Sequence, residues 1–242
     1  MHSLHIDLET IPAQQQWIKD EIRAGIKPPA TYKKPDSIAA WMDENADNEA
    51  HNEWLKTSFD GSRGEICTIG FAIDNLAASA YQRTDILTEE SILQSFFDNL
   101  AKLAELDHKA SKYFHAQWIT HNGIAFDLRF LYQRCVINRI DTHGIKIPVD
   151  SRHGSKESFD TLLAWRGWQA KAGGSMAHLC KVLGIDGKNG FDGSMVWGAF
   201  QEVRYNEIAE YCALDVERTR EIYKRLMLES PVKQNYIEEW AE

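Results

Sequence analysis

The first residues of the chain alternate between hydrophobic and polar side chains. In SLHIDLE, residues 3–9, leucine or isoleucine takes every second position, and histidine, aspartate and glutamate lie between them. A period of two places the hydrophobic side chains on one face of a β-strand and the polar ones on the other. We therefore predict a half-buried strand, which ends before Pro12 because proline has no N–H to donate to a neighbouring strand.

Residues 12–64 have a different pattern. They contain four of the six prolines, and the segment GIKPPATYKKPDS at 25–37 predicts a loop. Asp36 or Ser37 can then cap a helix that runs to about Thr57. Because this stretch is short and polar, we interpret it as an insertion after the first strand, within a single domain that spans residues 1–242.

The remainder of the chain shows both strand and helix patterns. We predict strands at 65–73, 78–84 and 118–120, and helices at 91–107, 126–134, 162–165, 175–183 and 206–228. Asp160, just before the short helix at 162–165, is interpreted as a helix cap. Strands come first and then alternate with helices, which is typical of an α/β domain with helices packed on a central sheet.

Composition narrows the class of protein. Of the 242 residues, 43% are hydrophobic and 26% are charged, which excludes wholesale disorder. No apolar run reaches the length of about 18 residues that a membrane span needs, and the start of the chain lacks the pattern of a secretory signal. The four cysteines are far apart, without a CxxC pair. We expect a cytoplasmic protein with no membrane partner and no disulfide framework.

The net charge of −9 excludes a protein that binds nucleic acid only through a broad basic surface. A nucleic-acid enzyme that works through metal ions remains compatible with it, since carboxylate ligands themselves add negative charge. The insertion also carries a local group of basic and aromatic residues that can contact a strand: Lys27, Tyr32, Lys33, Lys34 and Arg63.

Three acidic motifs are candidates for chemistry. Asp7 and Glu9 share one face of the first strand, which is unfavourable unless a cation lies between them. Hard oxygen ligands suit Mg²⁺ and Mn²⁺, although a solvated strand edge has the same pattern. In HNGIAFD, residues 121–127, Asp127 falls in the first turn of a helix, where an acid also stabilises the helix dipole. Tyr211 and Asp215 are four residues apart and share a helix face.

The order of these motifs resembles the DEDD superfamily of 3′–5′ exonucleases. The resemblance rests on residues 3–10, 120–134 and 208–223, which hold a DxE strand, an NxxxFD turn and a YxxxD helix. Four residues before Asp215 is Tyr211, and five before is Glu210, so the chain resembles the tyrosine branch of the superfamily. It is most similar to the proofreading exonuclease domain of family B DNA polymerases, without a polymerase attached.

The resemblance implies a fold, a chemistry and a set of roles. The fold is ribonuclease H-like: a mixed central sheet flanked by helices, here with a helical insertion after the first strand. The chemistry is phosphodiester hydrolysis with two divalent ions, Mg²⁺ or Mn²⁺. The implied metal ligands are Asp7, Glu9, Asp127 and Asp215; Tyr211 completes the catalytic set by orienting water; Leu8, Thr10, Asn122 and Phe126 contact the substrate.

The implied substrate is the 3′ end of DNA, most simply a single strand, cut to nucleoside monophosphates. Two alternatives stay open at this point. One is a 3′–5′ exoribonuclease that acts on short RNA, because both reactions use the same metal chemistry. The other is a non-catalytic nucleic-acid-binding module on the same fold. A polymerase or repair partner in trans is left open, because the sequence shows no polymerase or helicase segment of its own.

Overall fold

A computed structural model describes residues 1–106, 115–150, 154–167, 173–187 and 190–228. Its centre is a five-stranded sheet in the order β3-β2-β1-β4-β5. The strands are β1 (His2–Ile11), β2 (Glu65–Ile73), β3 (Ser79–Gln82), β4 (Ala116–Thr120) and β5 (Ser158–Asp160). β1 runs antiparallel to β2 and parallel to β4, so the predicted mixed sheet is confirmed.

Helices cover the sheet. They are α1 (Gln16–Gly25), α2 (Pro35–Leu55), α3 (Glu89–Leu106), α4 (Asp127–Asn138), α5 (Thr161–Arg166), α6 (Met176–Leu183), α7 (Val196–Gln201) and α8 (Tyr205–Leu226). The two helices α1 and α2, followed by a 3₁₀ helix (Lys56–Phe59), form the segment between β1 and β2. None of the helices in the described ranges is both long and apolar enough to cross a membrane.

Three elements were not predicted from the sequence pattern. α1 buries only Ile18 and Ile22, too few hydrophobic positions to reveal a helical period. α7 has six residues and β5 has three, and elements this short carry little periodic signal. The predicted helix at 91–107 begins earlier, at Glu89, and its last predicted residue lies outside the described residues.

The alternation in β1 separates two faces of the sheet. Leu4, Ile6 and Leu8 pack in the main hydrophobic core, together with residues of α3 and α4 such as Phe96 and Phe130. The opposite, polar face of β1 is covered by α8. Hydrophobic burial therefore anchors β1 from one side and leaves its acidic side chains pointing towards one helix.

α8 approaches the sheet closely because Gly70 of β2 has no side chain. A Cβ built at this glycine would lie 2.7 Å from the Sγ of Cys212 and 3.0 Å from its carbonyl oxygen. Real Cβ atoms do not tolerate the first distance, so any other residue at position 70 would push α8 outward. The glycine thus sets how near α8 lies to β1 and β2.

The insertion has a small hydrophobic core of its own. α2 buries Ala46, Ala50 and Trp54 on one face, and the Trp54 indole Nε1 donates a hydrogen bond of 2.7 Å to the carbonyl oxygen of Ala13. The same cluster contacts Trp197 of α7, so the insertion packs against the remainder of the protein. The helix predicted from Asp36 or Ser37 to about Thr57 is confirmed with bounds Pro35–Leu55.

Candidate active site

Asp7 and Glu9 lie on the polar face of β1, under α8. Their carboxylate oxygens and the Sγ of Cys212 lie within 4.8 Å of one another, so in the part of the chain that the structure describes these three residues form a group that could hold a metal ion, and Asp127 and Asp215 lie outside it. The Cys212 thiol also donates to the carbonyl oxygen of Asp7 at 3.4 Å. The two acids of the DxE motif are therefore neighbours in space, as predicted, and Cys212 joins them.

Asp127 reaches the same place from α4. It is the first residue of that helix, it is buried, and its Oδ1 accepts a hydrogen bond of 3.1 Å from the backbone N–H of Leu8. Leu8 lies between Asp7 and Glu9, so this bond fixes the start of α4 to the centre of the acidic strand. Because Asp127 occupies the Leu8 amide, a substrate contact at Leu8 would have to displace that bond or use another atom.

Asp215 and Tyr211 reach the site from α8, where both side chains are buried. The phenol of Tyr211 is hydrogen-bonded to the Asp215 carboxylate. The other partner of Asp215 is Arg218, whose Nη1 lies 2.7 Å from Oδ1. Arg218 also donates to the carbonyl oxygens of Asp186 at 3.2 Å and Gly187 at 2.6 Å, so Asp215 is tied to the loop after α6.

The four carboxylates act on one another electrostatically. Burial raises the pKa of Asp7 well above its ordinary value, and the charges of Asp127, Glu9 and Asp215 raise it further. Burial also raises the pKa of Asp127 to about 7, with a further contribution from the charge of Asp160. The charged forms of Asp7 and Asp127 are therefore disfavoured, and a divalent cation placed beside them would offset both the burial and the repulsion.

The phenol of Tyr211 stays neutral at ordinary pH. Burial raises its pKa, and the neighbouring charges of Asp215 and Glu9 raise it further. A neutral phenol can donate and accept a hydrogen bond but is not a strong base. This agrees with a positioning role for Tyr211.

Residues 70–240 match the model of a family described as a predicted 3′–5′ exonuclease related to the exonuclease domain of PolB. The chain belongs to this family. The match confirms the expected resemblance to the proofreading exonuclease domain of family B polymerases. The matched range includes Asp127, Tyr211 and Asp215 but begins after β1. The placement of Asp7 and Glu9 at the site is therefore supported by the structure and not by the family match.

Among solved structures, the family B DNA polymerase from the hyperthermophilic archaeon Pyrobaculum calidifontis has the same fold over 94% of this chain, with a TM-score of 0.56 and 11% sequence identity. The predicted ribonuclease H-like fold is thereby confirmed. The chain covers 24% of the length of that polymerase. No curated protein sequence matches this exonuclease family member.

Asp160 ties the turn before α4 to the start of α5. Its carboxylate accepts hydrogen bonds from the backbone N–H groups of Leu162 and Leu163, which confirms the predicted helix cap. It also accepts from the backbone of Asn122 at 3.0 Å and Ile124 at 3.2 Å. The side chain of Asn122 is exposed at this turn, on a residue in the left-handed region with φ 68°.

Two of the predicted substrate contacts border the insertion. The hydroxyl of Thr10 donates a hydrogen bond of 2.7 Å to the carbonyl oxygen of Ser58. The ring of Phe126 lies 5.5 Å from that of Phe130 and 6.5 Å from that of Phe59, measured between centroids. The pairing of Phe126 with Phe59 was not predicted, because no periodic pattern connects the insertion with α4.

The sequence also missed Cys212 and Arg218. Both are on α8, and Arg218 is three residues after Asp215, a spacing that places it on the same helix face. His5, which shares the polar face of β1, does not join the acidic cluster: its ring packs edge-to-face on Tyr223, with centroids 5.7 Å apart. Burial lowers the pKa of His5 to about 4, as expected for a core histidine.

Proposed function

We propose that this protein is a metal-dependent 3′–5′ exonuclease that hydrolyses the 3′ ends of single-stranded DNA to nucleoside monophosphates. The observation that carries the proposal is the placement of Asp7 and Glu9 within one 4.8 Å group on β1, with the charges of Asp127 from α4 and Asp215 from α8 acting on Asp7. A fold gains no stability from placing four acids together, so their proximity supports a cation-dependent function. Membership of an exonuclease family supports the same conclusion.

The donor set suits hard divalent ions. Asp7 and Glu9 would supply oxygen ligands from β1, Asp127 would supply one from the start of α4, and Asp215 would supply one from α8. Burial raises the pKa of the Cys212 thiol, so in the absence of a metal ion it stays protonated. Oxygen ligands without thiolate favour Mg²⁺ or Mn²⁺ over soft metals.

Asp7, Glu9, Asp127 and Asp215 would hold the divalent ions, and the ions would supply an activated water and neutralise charge on the scissile phosphate. Arg218 holds one oxygen of Asp215 through Nη1 at 2.7 Å, which limits the rotation of the carboxylate.

The phenol of Tyr211 would hold the attacking water in line with the scissile bond. Its hydrogen bond to Asp215 orients the hydroxyl, and its raised pKa keeps the proton on the phenol. Tyr211 therefore acts by positioning. Near the site, Asn122, Phe126 and the backbone around Leu8 and Thr10 would contact the terminal nucleotides, and the basic group Lys27, Lys33, Lys34 and Arg63 would contact the phosphates further along the strand.

Both the domain organisation and the location are part of the proposal. We take residues 1–242 as one exonuclease domain with an insertion at about 12–64, since the insertion packs on Trp197 of α7. A cytoplasmic location suits the four cysteines, which are buried free thiols. A polymerase or repair protein acting in trans remains a question for interaction studies.

A polarity-resolved nuclease assay tests the proposal. Matched DNA and RNA oligonucleotides labelled at the 5′ end are incubated with Mg²⁺ or Mn²⁺, and a ladder that shortens from the 3′ end is expected for single-stranded DNA. Asp7→Ala and Asp215→Ala should each reduce the rate by more than about 1000-fold, because removing a metal ligand costs several kcal/mol of transition-state stabilisation. Circular dichroism spectra and thermal melts should show that both variants remain folded.

Asp47→Ala is the matched control, because the Asp47 side chain is 90% exposed and belongs to α2; it should keep full activity. Full metal-dependent activity in Asp7→Ala would refute the mechanism. Faster degradation of RNA than of DNA would make the protein an exoribonuclease. Binding of single strands without any release of mononucleotides would make it a non-catalytic binding module.

A further inference from the structure

Phe59 is a large hydrophobic side chain that the protein leaves in solvent. It ends the 3₁₀ helix that follows α2, and 68% of its surface is exposed. One exposed phenylalanine is common on protein surfaces and needs no explanation by itself. Phe59 differs from other exposed hydrophobic residues in two ways: its backbone is held by several contacts, and its ring lies next to that of Phe126.

The backbone around Phe59 is held firmly at several points. The hydroxyl of Thr10 donates a hydrogen bond of 2.7 Å to the carbonyl oxygen of Ser58. The hydroxyl of Ser58 donates one of 2.9 Å to the carbonyl oxygen of Leu55. A Cβ added to Gly64 would lie 2.3 Å from the carbonyl oxygen of Thr57, so the chain returns here in backbone contact. Phe59 is therefore presented by a rigid support.

The support connects Phe59 to residues that directly adjoin two of the acids in the sequence. Thr10, which anchors Ser58, directly follows Glu9 in β1. On the other side, the Phe59 ring lies 6.5 Å from the ring of Phe126, at an interplanar angle of 57°. Phe126 directly precedes Asp127, whose carboxylate is bonded to the strand between Asp7 and Glu9. The two rings thus span the border between the insertion and the two elements that hold these acids.

We propose that Phe59 and Phe126 form a stacking platform for the bases at the 3′ end of a single strand. This inference rests on the proposed function and assigns the insertion a part in it. An aromatic ring stacks on the face of any base, so the platform would hold DNA without reading its sequence. In a duplex, the faces of the bases are already covered by their neighbours, so the platform favours unpaired ends.

The test is binding of 5′-fluorescein single-stranded DNA, measured by anisotropy with Ca²⁺ in place of Mg²⁺ to limit hydrolysis. Phe59→Ala should weaken binding about tenfold, which is about 1.4 kcal/mol and within the range known for base stacking on aromatic residues. Phe59→Trp should retain parental affinity, because the indole also stacks. Trp17→Ala is the matched control: Trp17 belongs to α1 of the same insertion and is 61% exposed, and its loss should leave binding unchanged.

An abasic oligonucleotide makes the test specific for stacking. When the two 3′-terminal residues lack bases, Phe59→Ala and the parent should bind with affinities within about twofold of each other, because the platform has nothing to stack on. Equal affinity of Phe59→Ala and the parent for the normal oligonucleotide would overturn the inference. So would an equal loss on normal and abasic oligonucleotides, which would indicate a backbone contact or a disturbed surface.

The two proposals fail separately. If the parent degrades DNA and Phe59→Ala binds it normally, the platform is wrong and the nuclease assignment stands. If the parent never releases nucleotides but loses base-dependent affinity with Phe59→Ala, the platform stands and the nuclease assignment is wrong. If the parent binds no single strand under any condition, both are wrong.

Discussion

Glu89 and Asp7 are two acids at the same sheet that differ in the charges around them. Glu89, the first residue of α3, is 5% exposed. Arg134 of α4 donates to its carboxylate through Nε at 2.8 Å and Nη2 at 2.6 Å, and the backbone N–H of Ile66 donates at 2.7 Å. A further bond of 3.0 Å comes from the amide of Asn138. The negative charge of Glu89 is therefore neutralised by a guanidinium and stabilised by hydrogen bonds from a backbone N–H and a side-chain amide.

Asp7 is surrounded by groups of the same sign. The charges that dominate its surroundings are those of Asp127, Glu9 and Asp215, and all three raise its pKa. Its side-chain hydrogen-bond partner is the thiol of Cys212, a weak donor. The contrast with Glu89 shows that this fold can neutralise a buried acid when the acid serves structure. At Asp7 the neighbouring charges have the same sign, which costs stability, and in the proposed function a metal ion would bring the opposite charge.

The largest expected effect is a loss of stability when Glu89 loses its ion-pair partner. Arg134→Met leaves Glu89 charged, buried and without its cation, so the free energy of unfolding should fall by about 3–5 kcal/mol. Urea denaturation followed by circular dichroism measures it. The double variant Arg134→Met with Glu89→Gln should recover most of the loss, because the charge is then gone.

Arg23→Met is the control for this pair. Arg23 and Asp47 form an exposed ion pair at 2.6 Å, and breaking such a pair costs only about 0–1 kcal/mol. A loss of less than 1 kcal/mol in Arg134→Met would show that the two acids of the comparison do not differ in the way described.

A middle-sized effect is expected where the sheet meets α8. Gly70→Ala introduces a Cβ that would lie 2.7 Å from the Sγ of Cys212, and forcing an extra group into a packed interface costs about 1–3 kcal/mol. The displaced helix carries Tyr211 and Asp215, so nuclease activity should fall even though the glycine touches no substrate. Thermal melts and the ladder assay measure both effects.

Gly198→Ala provides the matching control. A Cβ at this position of α7 meets nothing within 4 Å, and alanine is a better helix former than glycine by about 1 kcal/mol. Stability should stay equal or rise, with activity unchanged. Parental stability and activity in Gly70→Ala would mean that α8 can shift without consequence for the site.

The smallest expected effect is a gain in stability, in contrast to the losses above. Asp7→Asn removes one charge from the acidic cluster, and since the folded-state pKa of Asp7 is raised, its ionised form destabilises the fold at neutral pH. In EDTA the variant should melt higher than the parent by about 2–4 °C, which corresponds to about 1 kcal/mol for a chain of this size. Mn²⁺ should raise the melting temperature of the parent more than that of the variant.

A lower melting temperature of Asp7→Asn in EDTA would contradict the contrast between Asp7 and Glu89, since it would mean that the carboxylate is already well compensated. Asp98→Asn serves as a control for the substitution itself. That carboxylate is exposed and accepts a hydrogen bond from His143 at 2.7 Å, so the variant should show no gain in EDTA.

The sequence predicted the parts of the site that local rules determine. A period of two in β1 fixed which side chains face the core and which face α8, and the spacing of four placed Tyr211 and Asp215 on one helix face. The relation between these elements was supplied only by the resemblance to a family. Contacts between distant segments, such as Phe59 with Phe126, leave no periodic trace in the sequence.

The fold was predicted in its central elements and missed at its small ones. β1 and α8 carry enough hydrophobic positions for their period to be visible, and β2 is marked by a continuous buried run. α1 buries two isoleucines and takes the remainder of its stability from contacts with α2. The role of Gly70 could not be read from the sequence either, because the reason for a glycine here is the thiol of Cys212, which lies 142 positions along the chain.

That close approach has a consequence for anyone who mutates the protein at random. A saturation library of β2, selected for nuclease activity, should accept many hydrophobic replacements at its neighbours and almost none at position 70. Such a profile would usually be taken as the mark of a residue that touches substrate. Here it would report that β2 and α8, the helix that carries Tyr211 and Asp215, lie too close together for a single methyl group between them.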